Sequence, residues 1–276
     1  LTFKEPYIHL FNPVAKDKVN SEIKHITFIG SGNVASAMAE EFFKKGLIIT
    51  QVFSRNLSQA NLLSEKVNSK GINNYSQLKE TDLFIVAVSD DAISTVFSEL
   101  KHSTPVVHTS GNTSLLERYH TSESGVFYPL QTFSKGSETN WSEVPICIEA
   151  ANEDLLKKLH LLGETLSENV KTITSAERAI IHAAAVLACN FTNHLGALTQ
   201  EVLESNNLSM SLLNPLIQKT FMNITSGKAK EKQTGPAVRE DYGTIDSHMN
   251  ILEDKPEIKA LYLALSKHII AYHHGQ

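Results

Sequence analysis

Cysteine and tryptophan are scarce in this chain: two of the first and one of the second among 276 residues. Cys147 and Cys189 stand far apart in apolar surroundings, so a disulfide scaffold is excluded and both are expected as buried, reduced thiols. The start of the chain has no basic-then-apolar leader pattern, and together with the reduced thiols this places the protein, by expectation, in the cytoplasm. No run of about 18 apolar residues occurs, so no transmembrane helix and no membrane partner are expected. No dense Lys/Arg stripe occurs, and the formal net charge is −5. Nucleic acid and anionic membrane surfaces are therefore not the expected partners. Repeats, low-complexity tracts and metal-ligand spacings are missing too. Tyr272, His273 and His274 stand in a row, but the further ligands a zinc site needs are not nearby, so no metal is expected. What is present is ordinary globular composition, 41% apolar and 20% charged, in a chain long enough for two domains.

The rest of the chain is organised around residues 24–46, KHITFIGSGNVASAMAEEFFKKG. Residues 24–29 are apolar and β-branched, as suits a strand buried on both faces. Gly30, Gly32 and Ala35 follow at the spacing G-x-G-x-x-A. Helix formers with 3.6 periodicity then run from Asn33 to Lys45, and Gly46 is a C-terminal stop. Strand, glycine turn and helix together make a dinucleotide-binding hypothesis. Gly30 permits the tight turn, Gly32 lets a pyrophosphate approach the backbone, and Ala35 lets the helix lie close to the strand. Gly30, Ser31, Gly32, Asn33 and Val34 would then present N–H groups to the phosphates at the positive end of the helix dipole.

Residues 47–53 read as a second buried strand. An NAD site places Asp or Glu just after it to accept from the ribose hydroxyls. This chain has Ser54-Arg55-Asn56 instead, a guanidinium with small polar neighbours, which favours the 2′-phosphate of NADP. A helix is expected at 58–69, a short strand at 72–75, and a buried strand at 82–88. That strand runs into Val88, Ser89 and Asp90 at the border of the cofactor, with Asp90 or Asp91 able to cap the helix from about 92 to 100. The strand at 105–109 carries His108, Thr109 and Ser110 to the same carboxyl edge of the sheet. Further elements are expected as a helix at 115–119, a strand followed by a Pro-directed turn within 125–133, a strand at 145–150, a helix at 154–167 and a strand at 170–173. Gln131 and Thr132 could hold a substrate carbonyl or carboxylate. Strands alternating with helices imply a doubly wound parallel sheet.

From Ser175 onward the strand pattern ends. Residues 175–205 read as one long helix, broken once, capped by Ser175 and carrying His182, Val186, Cys189, Asn190, Asn193 and Ala197 as a stripe at helical spacing. Helices are expected at 209–224 and 255–272. Between them lies a polar loop with Arg239, Asp241 and His248.

GSGNVA, DLFIVAVSDDAI, HTSG, GVFYPLQTFS, ERAIIHAAAVLACNF and TGPAVREDY, in that order, resemble a Rossmann-like family of NADP oxidoreductases with a helical C-terminal domain of unknown function. The family is similar to pyrroline-5-carboxylate reductase and to the 6-phosphogluconate and 3-hydroxyacid dehydrogenases. The 3-hydroxyacid dehydrogenases use a Lys and an Asn one turn apart on the long helix. Here that face offers His182 and Asn190, with no Lys. The fold class implied is α/β: a Rossmann domain with a doubly wound parallel sheet, followed by an all-α domain. The expected divisions are an extension at 1–23, the dinucleotide-binding domain at 24–173, and at 174–276 a helical domain for the substrate cleft and a homodimer contact. The expected function is NADPH-dependent hydride transfer to a small carbonyl or imine. His182 would move the proton, Asn190 would orient the substrate, and Arg239 would hold an anionic group. A non-catalytic dinucleotide sensor and a purely structural dimer are the alternatives.

Overall fold

The computed structural model describes residues 23–100, 104–115, 123–136 and 138–275. The extension at 1–22 and most of the helix expected at 115–119 lie outside them. The chain forms two compact units, one ending at Ala185 and the other beginning at Val186. The change of sequence pattern at 174 precedes that division by one helix.

The first unit is built on an eight-stranded sheet. Its strands are β1 (His25–Ile29), β2 (Ile48–Phe53), β3 (Lys70–Ile72), β4 (Leu83–Val86), β5 (Val106–His108), β6 (Ser124–Pro129), β7 (Ile146–Ala150) and β8 (Val170–Thr172). They lie in the order β3-β2-β1-β4-β5-β6-β7-β8. The helices of this unit are α1 (Asn33–Lys44), α2 (Leu57–Lys66), α3 (Asp90–Glu99), α4 (Glu153–Glu164) and α5 (Ser175–Ala185). β1 to β6 pair in parallel, with α1, α2 and α3 as the crossovers from β1 to β2, β2 to β3 and β4 to β5. β7 pairs antiparallel with β6, and β8 parallel with β7, so the last two strands are reversed. The reason is the connection. Between β6 and β7 the described chain has only a one-turn 3₁₀ helix at Trp141–Glu143 and no crossover helix, so it returns along the edge it left.

Side chains alternate across the sheet. On one face Ile26, Phe28, Leu83, Ile85, Val107 and Phe127 pack beneath α1, α2 and α4. On the other, Ile29, Phe84, Val86 and Val106 pack beneath Ile93, Val96 and Phe97 of α3. Phe42 lies 6.5 Å from Phe28 and 6.0 Å from Phe127, ring centre to ring centre. Each such buried aromatic contributes about 1.5–3 kcal/mol.

The second unit opens with a π-helical segment, Val186–Phe191, followed by α6 (Thr192–Glu204), a 3₁₀ turn at Met210–Leu213, α7 (Asn214–Thr225), α8 (Tyr242–Ile251) and α9 (Pro256–His274). The π-helical segment is the expected break, and the α-helical period on which the polar stripe was read does not run through it. α8 replaces part of the expected loop, because Asp241 caps it by accepting from Thr244 N at 3.1 Å. Cys147 is buried but Cys189 is exposed, which corrects the expectation of two buried thiols. Among the described residues no helix is long and apolar enough to cross a membrane, and no cluster of His, Cys, Asp or Glu could hold a metal.

Candidate functional site

The glycine turn between β1 and α1 has the geometry its spacing implies. Gly30 adopts φ +122°, and a Cβ there would collide with the carbonyl of Ala87. Its N–H donates to Phe53 O at 2.8 Å. Gly32 is the capping residue of α1, yet a Cβ added to it would meet nothing within 4 Å. No side chain caps this helix, and its first turn carries no carboxylate. The helices around it differ: Asn56 caps α2, Asn152 caps α4, and Asp90 and Asp91 sit in the first turn of α3. Open space before uncapped N–H groups at the positive end of a helix fits a phosphate. Ala35 is fully buried, so α1 lies close on the sheet. Ser31 and Val34 are half-buried and Asn33 is exposed, its Nδ2 donating to Phe133 O at 3.1 Å. That bond ties the chain after β6 to the turn, where Phe133 stacks on Trp141.

At the end of β2, Ser54 N donates to Ile72 O and Arg55 is exposed. Asn56 uses its side-chain oxygen on Ser58 N and Gln59 N. Tyr75 stacks on Phe53 with ring centres 4.3 Å apart. Burial and then Glu99 push its hydroxyl pKa up, with Arg55 acting against them. After β4, Val88 is half-buried and Asp90 is exposed. Ser89 holds the capping position of α3, not Asp90 or Asp91, which fall in the first turn where their charge suits the dipole.

The loop after β5 is tightly built. His108 is fully buried, its Nδ1 accepting from Ser110 N at 3.2 Å. Burial, then the Arg178 guanidinium, holds its pKa down at about 3, so it stays neutral and does not serve as an acid at physiological pH. Thr109 N donates to Val86 O. Ser110 Oγ accepts from Asn112 N and Thr113 N, and Ser110 O accepts from Arg178 Nε. Gln131 and Thr132 are exposed, the side chain of Gln131 accepting from Thr132 N.

α5 is locked onto this loop. Its capping residue is Thr174, not Ser175: Glu177 Oε2 accepts from Thr174 N and Oγ1, and Thr174 Oγ1 accepts from Glu177 N. Ser175 Oγ instead donates to Glu149 Oε2 at 2.7 Å and accepts from Leu115 N. Arg178 is 1% exposed. Its Nη1 meets Glu149 Oε2 at 2.6 Å and its Nη2 donates to Thr113 O at 2.6 Å. One turn later comes His182. Its Nδ1 lies 3.1 Å from Tyr128 Oη, and its ring lies against Gly111, where a Cβ would come within 2.5 Å of Nδ1. Thr109, Ser110 and His182 are thus brought to one place at the carboxyl edge of the parallel strands.

Asn190 and Arg239 belong to the second unit. Asn190 is exposed in the π-helical segment. The side chain of Arg239 is 64% exposed and lies 3.7 Å from Asp241. The hydrogen bonds from Thr244 hold Asp241's pKa below the usual carboxylate range.

Four residues of this arrangement escape a reading of the sequence: Gly111, Tyr128, Glu149 and Arg178. One signal was available. A charged residue inside the apolar helix sequence ERAIIHAAA needs a buried partner, and the preceding T-x-x-E is a capping signature.

Residues 25–110 match the family described as "NADP oxidoreductase coenzyme F420-dependent", and residues 144–269 match a "domain of unknown function", DUF2520. The fold matches the crystal structure of a "putative NADP oxidoreductase" from Bacteroides fragilis at TM-score 0.84 and 35% identity. That match covers 91% of this chain and 99% of the other. An imine reductase from Myxococcus stipitatus in complex with NADP+ matches at TM-score 0.67 and 15% identity, over 91% and 96% of the two chains. A reductive aminase from Aspergillus terreus in complex with NADPH and ethyl-5-oxohexanoate matches at 0.64 and 16%, over 92% and 96%. The last two show a shared fold. No curated protein matches the chain.

Proposed function

Because the chain belongs to the family of NADP oxidoreductases, we propose that it reduces a small carbonyl or imine with NADPH. The observation that carries the reading is the uncapped start of α1 together with a histidine held at the same edge of the sheet. Gly30, Ser31, Gly32, Asn33 and Val34 would take the pyrophosphate, with Gly32 supplying the space. Ser54, Arg55 and Asn56 would take the 2′-phosphate, Arg55 through its charge and Asn56 through its backbone, since its side chain already caps α2. Val88, Ser89, Asp90, Thr109 and Ser110 would border the nicotinamide half. Bound there, the nicotinamide supplies a hydride, and the protein supplies position and a proton.

His182 is the proton donor in this reading, because an imidazole can give a proton from one ring nitrogen while taking one at the other. The imine reductase and the reductive aminase that share the fold suggest imines beside ketones as substrates. Following NADPH oxidation against 2-oxoacids, ketones and cyclic imines tests the proposal. At least one compound should turn over, and His182→Ala should lower its kcat by about 10²–10⁴-fold. Asn190→Ala and Arg239→Ala in the same assay report whether the second unit contributes a substrate contact. Saturable NADPH binding with no turnover across the panel would point to a sensor instead.

The second unit also supports a homodimer. Leu187, Phe191, Leu212, Leu216 and Met222 are each more than half exposed, and apolar faces of that kind call for a cover. Sedimentation should give about twice the chain mass. Two free thiols agree with a reducing compartment such as the cytoplasm.

A further inference from the structure

We propose that Tyr128 is the positioning partner of His182: its hydroxyl holds the imidazole in the tautomer that carries its proton on Nε2, and replaces that proton when it is given away. The inference rests on His182 as proton donor and deepens it.

The hydrogen bond joins residues 54 apart in sequence, Tyr128 on β6 and His182 on α5, at 3.1 Å. The rings meet edge to face at 6.1 Å and 73°. Among the described residues, Nδ1 is the only hydrogen-bond partner of the hydroxyl. Were Nδ1–H the donor, the hydroxyl proton would find no acceptor among the described residues. The hydroxyl is assigned as donor and Nδ1 as acceptor, so that Nε2 holds the ring proton. The groups around the pair are Cys147, which faces Tyr128 across the β6–β7 ladder, with Asp90 and Arg178. Burial, Cys147 and Asp90 push the Tyr128 pKa up against Arg178, so the phenol keeps its proton at rest.

Both partners are fixed from outside. β6 is bonded on each side, to β5 and β7. Arg178, one turn before His182, ties α5 to Ser110, Thr113 and Glu149. Gly111 closes the back of the pair: a Cβ there would lie 2.5 Å from His182 Nδ1, 2.7 Å from its Cγ and 3.0 Å from Tyr128 Cζ.

The proton balance is complete. As hydride reaches the substrate carbon, the Nε2–H bond breaks and its proton joins the substrate nitrogen or oxygen. Nδ1 takes the Tyr128 proton, so the imidazole stays neutral. The phenolate that remains is disfavoured by burial, so it takes a proton from water at once and leaves hydroxide in the solvent.

The test is ¹⁵N NMR of histidine-labelled full chain with NADP+ bound, His182 being assigned with His182→Gln. Nδ1 should read as unprotonated and Nε2 as protonated, and Tyr128→Phe should shift the tautomer balance. On the most active compound of the panel, Tyr128→Phe should lower kcat about tenfold or more with KM little changed, and should cost nothing further in His182→Ala. Gly111→Ala, which keeps both side chains but displaces the rings, should give the same loss. A protonated Nδ1 in the wild type, a tautomer indifferent to Tyr128→Phe, or additive losses in the double variant would overturn the proposal. The NMR needs no turnover, so a failed substrate panel removes the reductase reading and leaves this test intact.

Discussion

The first turns of α1 and α5 solve the same problem in opposite ways. Each helix begins with N–H groups that lack intrahelical partners. At α5 they are met by Thr174, Glu177 and Glu149, and the helix is pinned to the loop after β5. At α1 no side chain among the described residues caps them: the capping residue is Gly32, no carboxylate follows, and a Cβ on Gly32 would meet nothing within 4 Å. The sheet edge thus carries one helix start that holds the fold together and one that is left open. Polar groups satisfied within the protein have no bonding capacity to spare for a partner. Those left open near solvent are the ones on which the proposed cofactor contact depends.

Removing the guanidinium of the locked helix should have the largest effect. Arg178→Met strands Glu149 without its charge partner, and a broken buried pair costs about 3–5 kcal/mol. Urea denaturation should show that loss, and adding Glu149→Leu should restore part of it. At the open helix the expected result is reversed. Gly32 has φ −76°, which any residue adopts, and Asp is a good capping residue. Gly32→Asp should leave stability unchanged or slightly raised while weakening NADPH at least about a hundredfold, since a carboxylate takes the phosphate's place. Loss of fold in that variant, or unchanged NADPH affinity, would erase the distinction between the two helices.

Arg55→Ala sharpens the cofactor side. It should weaken NADPH by about 1.5–3 kcal/mol, the worth of a charge-assisted bond, and leave NADH nearly unaffected. Isothermal titration with both nucleotides decides it. Thr174→Ala tests the capped side at smaller scale: about 1 kcal/mol of stability lost, with nucleotide affinity unchanged. Acid should act through His108, whose pKa falls from 6.5 to about 3 on folding. The unfolded chain binds the proton more readily, so this group removes stability as pH drops from about 6.5 toward 3. His108→Leu should flatten that part of the stability–pH curve.

Local signals made much of the first unit legible. β1, the glycine turn and α1 follow one another within about twenty residues, and each is announced by its own residue types, so the strand-turn-helix could be read directly. The place of Arg55 just after β2 was legible for the same reason. The direction of β7 was not, because alternation of apolar residues does not record which way a strand runs. Asp241 was readable as polar but not as the cap of α8. The role of Arg178 was hidden because its acceptors lie at Ser110, Thr113 and Glu149, far off in sequence. Tyr128 looked like one more aromatic in a strand until β6 and α5 brought it to His182.

By itself, the order of residues determined the alternation of strands and helices, the bare turn at Gly30–Gly32 and the absence of a carboxylate after β2, since each depends on neighbours within a few positions. Only the tertiary structure decided that His108 is buried and neutral while His182 is half-buried and bonded to a phenol. Burial and hydrogen bonding are set by groups from distant strands, and these decide what an imidazole can do.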